Sequence, residues 1–283
     1  MQVAMIQDML MPLDDVHPAY LDRAMFYGDG VYEVVRGYQG RLFALDAHMT
    51  RFANSLEAVD IEGIVIGDIR NRVIRAYEHA HIEDAVVYFH VTRGSGFRSL
   101  ASTPEMEPNF FMTITSTNDR SDAKKNGIAV ITHPDHRWKL CHIKSLNLLP
   151  NVLARRDAAQ KGCQEAILVN EQGCITEGAS SAFFAIVGSA QGHPAMRTAP
   201  LTANILPSVT RTYVLKAASH LDLPVVEESF TPEEAAEARE LFIASTTQDI
   251  VPVVQFDGIA IGDGEPGSKT RQLMQTFSGF TAV

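Results

Sequence analysis

The feature that most constrains the fold is an alternation, along the whole chain, of short apolar runs with segments of helical period. Runs such as 30–36, 85–92, 165–169 and 241–245 have the length and composition of strands. Between two of them, at 46–56, apolar residues recur at the three- and four-residue spacing of an amphipathic helix. Strands interleaved with helices, without an internal repeat, predict an α+β protein.

One polar stretch without any period, residues 116–127, interrupts this alternation. Stretches of this kind are typical of linkers, and 283 residues with 46% hydrophobic content can bury two cores. The sequence therefore predicts two domains that join near residue 120. Further strands are predicted at 109–115, 128–132, 181–187 and 251–256, further helices at 68–77, 151–160 and from Pro207, and a capping box at Thr231 and Glu234.

Charge and composition exclude several classes of function. The net charge of −10 leaves no basic stripe to neutralise phosphates, which argues against nucleic-acid binding. Residues 1–15 carry acids and no basic segment, unlike a signal peptide, and no apolar run is long enough to span a membrane. The cysteines Cys141, Cys163 and Cys174 form no CxxC pair and leave one unmatched, which suits a reducing cytosol. We expect a cytoplasmic enzyme without a metal site.

Lys144 is the first candidate for chemistry. It ends the strand-like run 137–144, in which alternating side chains would place it on one face with Trp138 and Leu140. A lysine on an apolar face must lose its proton, find a counter-charge or be used chemically. Because a neutral amine condenses with an aldehyde to form a Schiff base, Lys144 is a candidate nucleophile. The alternative is a lysine whose stem is buried and whose ammonium reaches water.

Glu177 is the second candidate, one helix and one strand further along the chain. A carboxylate on a neighbouring strand can hold the pyridine nitrogen of pyridoxal phosphate protonated. On its own, a glutamate before Gly178 is equally consistent with an acidic turn residue. Together with Lys144 it indicates a pyridoxal phosphate enzyme.

Three segments could bind the phosphate of such a cofactor. Residues 245–247 supply hydroxyl and backbone N–H groups directly after an apolar strand. Val209 and Thr210, early in the helix predicted from Pro207, would add a helix N-terminus. Arg51 lies off the apolar face of its helix, so it is either a solvated arginine or a buried phosphate ligand.

A glycine-rich motif near the C-terminus does not indicate a nucleotide site. Residues 262–267 match G-x-G-x-x-G, but a dinucleotide site needs a βαβ unit after the glycines. Only thirteen residues follow Thr270, enough for one helix and nothing more. Two acids in the loop would also repel phosphate.

Six segments carry a resemblance to a known family, namely residues 26–35, 88–94, 143–149, 161–168, 176–178 and 245–247. They are similar to segments of the class IV (fold type IV) pyridoxal phosphate aminotransferases, most of all the D-amino-acid aminotransferases, over nearly the whole chain. The resemblance implies a small N-terminal α/β domain at 1–117, a linker at 118–126 and a larger C-terminal domain with a β-barrel-like core at 127–283. It also implies pyridoxal 5'-phosphate in the cleft and a homodimer, because the sites of this family border the subunit interface.

The resemblance also implies a role for each matching position. Lys144 would be the Schiff-base lysine and proton shuttle, Glu177 would pair with the pyridine nitrogen, and Arg51 would bind the phosphate. The phosphate and ring would be lined by Ser181, Leu206, Val209, Thr210, Thr246 and Thr247, with Leu206 on the ring face. Tyr32 and Arg98 would hold the substrate carboxylate.

The reaction implied is amino-group exchange between D-amino acids, such as D-alanine or D-glutamate, and 2-oxo acids. Leu100 stands where the D-amino-acid enzymes have a histidine, so a carboxylate donor is missing, the pocket is more apolar, and some activity on primary (R)-amines is expected. Branched-chain L-aminotransferases usually have Phe-Glu-Gly where this chain has Tyr32, Glu33 and Val34. Those enzymes, aminodeoxychorismate lyases on the same scaffold and a non-catalytic homologue are the alternatives.

Overall fold

The structure is a computed structural model that describes residues 2–101, 106–188, 193–202 and 204–282. The strands are β1 (Val3–Ile6), β2 (Met9–Pro12), β3 (Gly30–Tyr38), β4 (Arg41–Leu42), β5 (Ala85–Thr92), β6 (Asn109–Ser116), β7 (Ile128–Pro134), β8 (Glu165–Val169), β9 (Ile175–Gly178), β10 (Ala182–Gly188), β11 (Pro194–Thr198), β12 (Val225–Glu227), β13 (Glu240–Ser245), β14 (Asp249–Phe256) and β15 (Ile259–Ala260). The α-helices are α1 (Arg23–Tyr27), α2 (Leu45–Ala58), α3 (Ile66–Ala80), α4 (Ser121–Asn126), α5 (Leu149–Gln160), α6 (Val209–His220), α7 (Pro232–Ala236) and α8 (Ser268–Thr281). This interleaving confirms the predicted α+β class.

The N-terminal sheet has the strand order β4-β3-β5-β6, and its neighbouring strands are antiparallel. Along β3 the side chains alternate, so Val31, Glu33 and Val35 are buried. Val31 and Val35 pack in one apolar cluster with residues of α2 and α3. Tyr32 and Val34 therefore point to the opposite face of the sheet.

The larger sheet has nine strands, in the order β12-β11-β10-β13-β14-β7-β8-β9 with β15 beside β14. It is curled, and α6 and α8 cover one of its faces. Phe184 and Phe242 stack on that face with ring centroids 4.8 Å apart, whereas Phe183 and Phe256 pack on the other. Because both faces are buried, strands such as β13 contain a continuous apolar run, here residues 241–244.

The segment 137–144 is not the predicted strand. Ile143 N donates a hydrogen bond to Leu140 O at 3.1 Å, which closes a turn. Trp138 and Leu140, the predicted apolar face, are 39% and 44% exposed. The segment turns here instead of running extended beside a neighbouring strand, and its first side chain, Arg137, forms ion pairs with Asp135 and Glu177. The predicted strand, and the apolar face inferred from it, are wrong.

The polar stretch 116–127 has more structure than its sequence predicts. It contains α4, which ends at Gly127 with φ +76°. Lys124 on that helix pairs with Asp249 of β14 at 2.5 Å. Because α4 has six residues and buries none of them, no helical period marks it in the sequence.

Candidate active site

A cavity of about 490 Å³ lies between β3 and the curled sheet. Eight of the predicted site residues line it, namely Tyr32, Arg51, Lys144, Glu177, Ser181, Leu206, Thr246 and Thr247. Val209 and Thr210 follow the lining residue Ser208 at the start of α6, and Thr210 Oγ1 is 3.4 Å from Thr246 Oγ1. The structure thus brings together ten of the eleven predicted residues, and Arg98 is the one outside.

Lys144 is held by its backbone from two directions. Its N–H donates to Ser55 Oγ at 3.1 Å, and its carbonyl accepts from Tyr32 N at 2.9 Å. Its Nζ lies 4.2 Å from the centroid of the Tyr32 ring. Across the part of the chain that the structure describes, no carboxylate forms an ion pair with this ammonium. A lysine with a fixed backbone and an uncommitted amine at a cavity wall can act as a nucleophile.

Glu177 is buried where β9 meets the cavity, and its Oε1 forms an ion pair with Arg137 Nη1. The same oxygen accepts from Leu206 N at 3.2 Å. Burial raises the pKa of the Glu177 carboxyl, and the charge of Arg137 opposes that rise. Among the described residues Oε2 has no hydrogen-bond donor, so it remains available to a ligand.

Arg137 was missed by the sequence reasoning. It also pairs with Asp135 at 2.7 Å, so it lies between two acids. Burial opposes its charge, but Asp135 and Glu177 outweigh burial and raise the pKa of the guanidinium. The same contact lowers the pKa of Asp135 despite its burial. The arginine therefore keeps a permanent positive charge beside the buried Glu177 carboxylate.

A second buried charge network fixes Arg51. Its Nε and Nη2 donate to the two carboxylate oxygens of Glu33 at 2.7 and 2.8 Å, and its Nη1 donates to Pro207 O at 3.1 Å. His48 Nδ1 lies 2.8 Å from Glu33 Oε2, and burial lowers the pKa of His48. Burial also opposes ionisation of Glu33, but Arg51 and then His48 outweigh it and lower the pKa of Glu33 to about 2. Arg51 is thus held in one orientation at the cavity wall.

Hydroxyl groups converge where α6 begins beside the turn between β13 and β14. Ser208 caps α6 by accepting from Arg211 N at 3.1 Å, and Thr246 and Thr247 line the cavity next to it. The buried Ser245 Oγ has no hydrogen-bond partner within the described ranges. A helix N-terminus next to unengaged hydroxyls is an arrangement that binds anions such as phosphate.

Arg98 and Leu100 lie outside this cavity. The Arg98 guanidinium is 5.6 Å from the centroid of the Tyr27 ring, and the residue is exposed. Leu100 is 82% exposed. In a single chain, therefore, Leu100 does not make the cavity more apolar, and the carboxylate-binding role of Arg98 stays a prediction.

Comparison with known proteins identifies the family. The family model described as Amino-transferase class IV matches residues 30–256. The chain belongs to the class IV aminotransferases. This aminotransferase is 36% identical to the D-alanine aminotransferase of Staphylococcus haemolyticus over 93% of its own length and 92% of the relative's. It is 34% identical to that of Bacillus licheniformis, over 89% and 87% of the two chains.

Solved structures share the fold of this aminotransferase. The branched-chain amino acid aminotransferase of Escherichia coli superposes with a TM-score of 0.85 at 23% identity, over 96% of this chain and 92% of that one. A putative 4-amino-4-deoxychorismate lyase from Legionella pneumophila gives 0.82 at 21% identity, over 94% and 97%. At these identities the likeness shows the fold alone, and it confirms the predicted fold type IV.

Aminotransferases of this class use pyridoxal phosphate, and the residues present fit that cofactor. Counting only partners among the described residues, the cavity offers a lysine without an ion pair, a buried carboxylate with one free oxygen, and the unpartnered Ser245 hydroxyl near a helix N-terminus. In the described ranges, no three His, Cys, Asp or Glu side chains converge as metal ligands do. No helix among those residues is long and apolar enough to cross a membrane.

Proposed function

We propose that this aminotransferase exchanges an amino group between D-amino acids, such as D-alanine or D-glutamate, and 2-oxo acids, with a side activity on primary (R)-amines. The observation that carries the proposal is that Lys144, Glu177 and Arg51 line one cavity. The D-amino acid substrate is supported by relatives at 34–36% identity that are named D-alanine aminotransferases. The branched-chain aminotransferase and the putative lyase are only 23% and 21% identical to this chain. They therefore support a branched-chain or lyase activity of this chain less than the relatives support the D-amino acid substrate.

Each proposed catalytic role follows from the geometry. When bound, pyridoxal phosphate supplies an aldehyde that takes up the amino group and a ring that stores electrons. Lys144 would hold the cofactor through that aldehyde, and its amine would move the proton at the substrate α-carbon. Glu177 would favour a proton on the pyridine nitrogen. Burial raises the pKa of the Glu177 carboxyl, and the charge of Arg137 opposes that rise and so favours the ionised form.

The remaining site residues bind and orient. Arg51, Thr210, Thr246 and Thr247 hold the phosphate, while Ser181, Leu206 and Val209 border the ring. Ser181 is itself oriented by the hydrogen bond that its Oγ donates to the buried Glu165 at 3.0 Å. Tyr32 and Arg98 bind the substrate carboxylate.

We also propose that the enzyme is a cytoplasmic homodimer. Apolar side chains of α5 face outward, with Leu149 67%, Val152 56% and Leu153 41% exposed. Contiguous apolar surface of this kind is typical of protein–protein interfaces, and sedimentation equilibrium would measure the association. Within each subunit, we propose domains at 1–117 and 127–283 joined by residues 118–126, because each flanking segment has its own sheet and apolar cluster.

A panel of amino donors tests the proposed reaction. Purified protein loaded with pyridoxal phosphate is mixed with 2-oxoglutarate and D-alanine, D-glutamate, L-leucine or a primary (R)-amine. We expect 2-oxo acid from the D-amino acids, a slower reaction of the (R)-amine, and little or none of L-leucine. Faster reaction of L-leucine would contradict the D-specificity. Pyruvate formed over many turnovers from aminodeoxychorismate, with no 2-oxo acid present, would indicate a lyase.

Chemical trapping tests the role of Lys144. We expect a yellow protein in which borohydride reduction and peptide mapping place a pyridoxyl label on Lys144, and a colourless Lys144→Ala variant. The Lys139→Ala variant, which alters a lysine five positions earlier, is the matched control and should stay yellow. A label on Lys139 or on any other lysine would disprove the assignment.

A further inference from the structure

The carboxylate of Asp249 joins three separate parts of the chain. Its Oδ1 accepts a short hydrogen bond from the Tyr38 hydroxyl, and its Oδ2 accepts from Lys124 Nζ at 2.5 Å. Tyr38 ends β3, Lys124 lies on α4 and Asp249 begins β14. The Asp249 side chain is only 15% exposed, and hydrogen bonds to a charged, shielded carboxylate are among the stronger ones in proteins.

Asp249 also closes the turn that carries two cavity residues. It pairs with Ser245 across β13 and β14, and Gln248 N donates to Ser245 O at 3.2 Å. Thr246 and Thr247 lie between these two ends and line the cavity. Asp249 has φ +58°, a left-handed conformation that residues other than glycine rarely adopt. Partners on both carboxylate oxygens hold this residue, and with it the turn, in one conformation.

We propose that Tyr38 and Lys124 are positioning residues for cofactor binding, which they promote by holding Asp249 and thereby the turn with its two threonine hydroxyls. The inference rests on the proposed function, because the phosphate of the cofactor is the ligand that this turn receives. Neither Tyr38 nor Lys124 lines the cavity. Their effect on the ligand therefore passes through Asp249.

The Tyr38→Phe variant tests this proposal because it removes one hydroxyl and keeps the ring. We expect the dissociation constant of pyridoxal phosphate from the apoenzyme to rise about tenfold, or ~1.4 kcal/mol, in an absorbance titration. The matched control is Tyr77→Phe on α3. It removes a hydroxyl that donates to Glu83 O at 2.8 Å. The control should leave the dissociation constant unchanged.

Two further variants separate positioning from a general loss of structure. Lys124→Met removes the other partner of Asp249 from a side chain that is 34% exposed, and it should raise the dissociation constant in the same direction. Combining Tyr38→Phe with Thr247→Ala should raise it by less than the product of the separate effects, because both act through one turn. The urea midpoints of the two apo Tyr→Phe variants should be similar.

Each outcome decides the proposal. An unchanged dissociation constant in Tyr38→Phe and Lys124→Met, while wild-type protein binds the cofactor, overturns the positioning role and leaves the proposed function intact. Independent effects of Tyr38→Phe and Thr247→Ala also overturn it. Wild-type protein that takes up no pyridoxal phosphate overturns the proposed function itself.

Discussion

Arg137 shows how much a single side chain decides at this site. Without a neighbouring cation, burial alone would favour the protonated form of Glu177, and a neutral carboxyl cannot stabilise a protonated pyridine. With Arg137 in place, Oε1 of Glu177 is engaged, and no residue that the structure describes donates to Oε2. Asp135 then fixes the arginine from the far side. Arg137, held by Asp135, therefore favours the ionised form of Glu177 against the effect of burial.

The Glu177→Gln variant keeps the shape of the side chain and removes its charge. We expect the cofactor to bind, but the half-reaction with D-alanine to slow on the order of 10²-fold or more, a typical loss for an electrostatic partner of a reacting group. Single-turnover absorbance measures the rate, and the exposed Glu171→Gln is the control. An unchanged rate would mean that Glu177 is only an acidic turn residue.

The buried Glu33 makes stability depend on pH. Its folded-state pKa of about 2 lies below its ordinary value of 4.5, so its stabilising charge is fully present above that value and is lost as the pH falls towards 2. Wild-type protein should lose roughly 3 kcal/mol of unfolding free energy over this window, and Glu33→Gln should lose less. Urea unfolding across the window measures the slope, and the exposed Glu62→Gln should keep the wild-type slope. Equal slopes in wild type and Glu33→Gln would count against the network.

For single residues, the sequence predicts those whose side chains have a distinctive chemistry. It misses the residues that hold those side chains in place. Lys144 and Glu177 could be found because a lysine and a carboxylate in these contexts have few other uses. Arg137 follows Asp135 by two positions, a spacing that is as common on exposed loops, so nothing in the sequence marks it as buried. Arg98 was named from resemblance, and the single chain leaves it at the surface.

Among the secondary-structure elements, α7 begins with the predicted capping box. Thr231 Oγ1 accepts from Glu234 N at 3.3 Å, and Glu234 Oε2 accepts from Thr231 N at 2.9 Å. Thr231→Ala should lower the unfolding free energy by about 1 kcal/mol without changing cofactor affinity, because α7 lies outside the cavity lining. Urea unfolding measures the change, and the exposed mid-helix Thr50→Ala should alter stability by less than about 0.5 kcal/mol. A loss no larger than that of Thr50→Ala would rule out the capping contribution.

Strands were predictable from the sequence where an apolar run between turn residues coincides with a strand that is buried in the fold. The predicted bounds of β5 and β8 match the structure, because both are apolar runs between turn residues. Strands β1, β2, β11 and β12 were missed, since they have three to five residues and no long alternation. The failed strand at 137–144 has the alternation, but among the described residues only its last one, Lys144, forms a backbone hydrogen bond with a strand, β3. Whether a segment finds a strand to pair with is a property of the tertiary structure.

At the scale of the whole molecule, Arg98 lies outside the cavity of one chain, so its predicted contact with a substrate would need the proposed homodimer to complete the site. We expect Arg98→Ala to raise the KM for D-alanine about tenfold, since a charge-assisted hydrogen bond contributes roughly 1.5–3 kcal/mol. The reaction of a primary (R)-amine, which has no carboxylate, should be nearly unaffected. Steady-state kinetics with both donors measures the difference. Equal loss of both activities would show that Arg98 only shapes its loop against Tyr27.

Lys144 belongs to the second half of the chain, yet its backbone is held by Ser55 and Tyr32 from the first half. A chain cut within the polar stretch 116–127 would give two fragments, with Lys144 on one and Ser55 and Tyr32 on the other. The yellow colour would return only when the fragments dock and restore both backbone hydrogen bonds. If each fragment were fused to a different protein, the yellow colour would report the association of those two proteins.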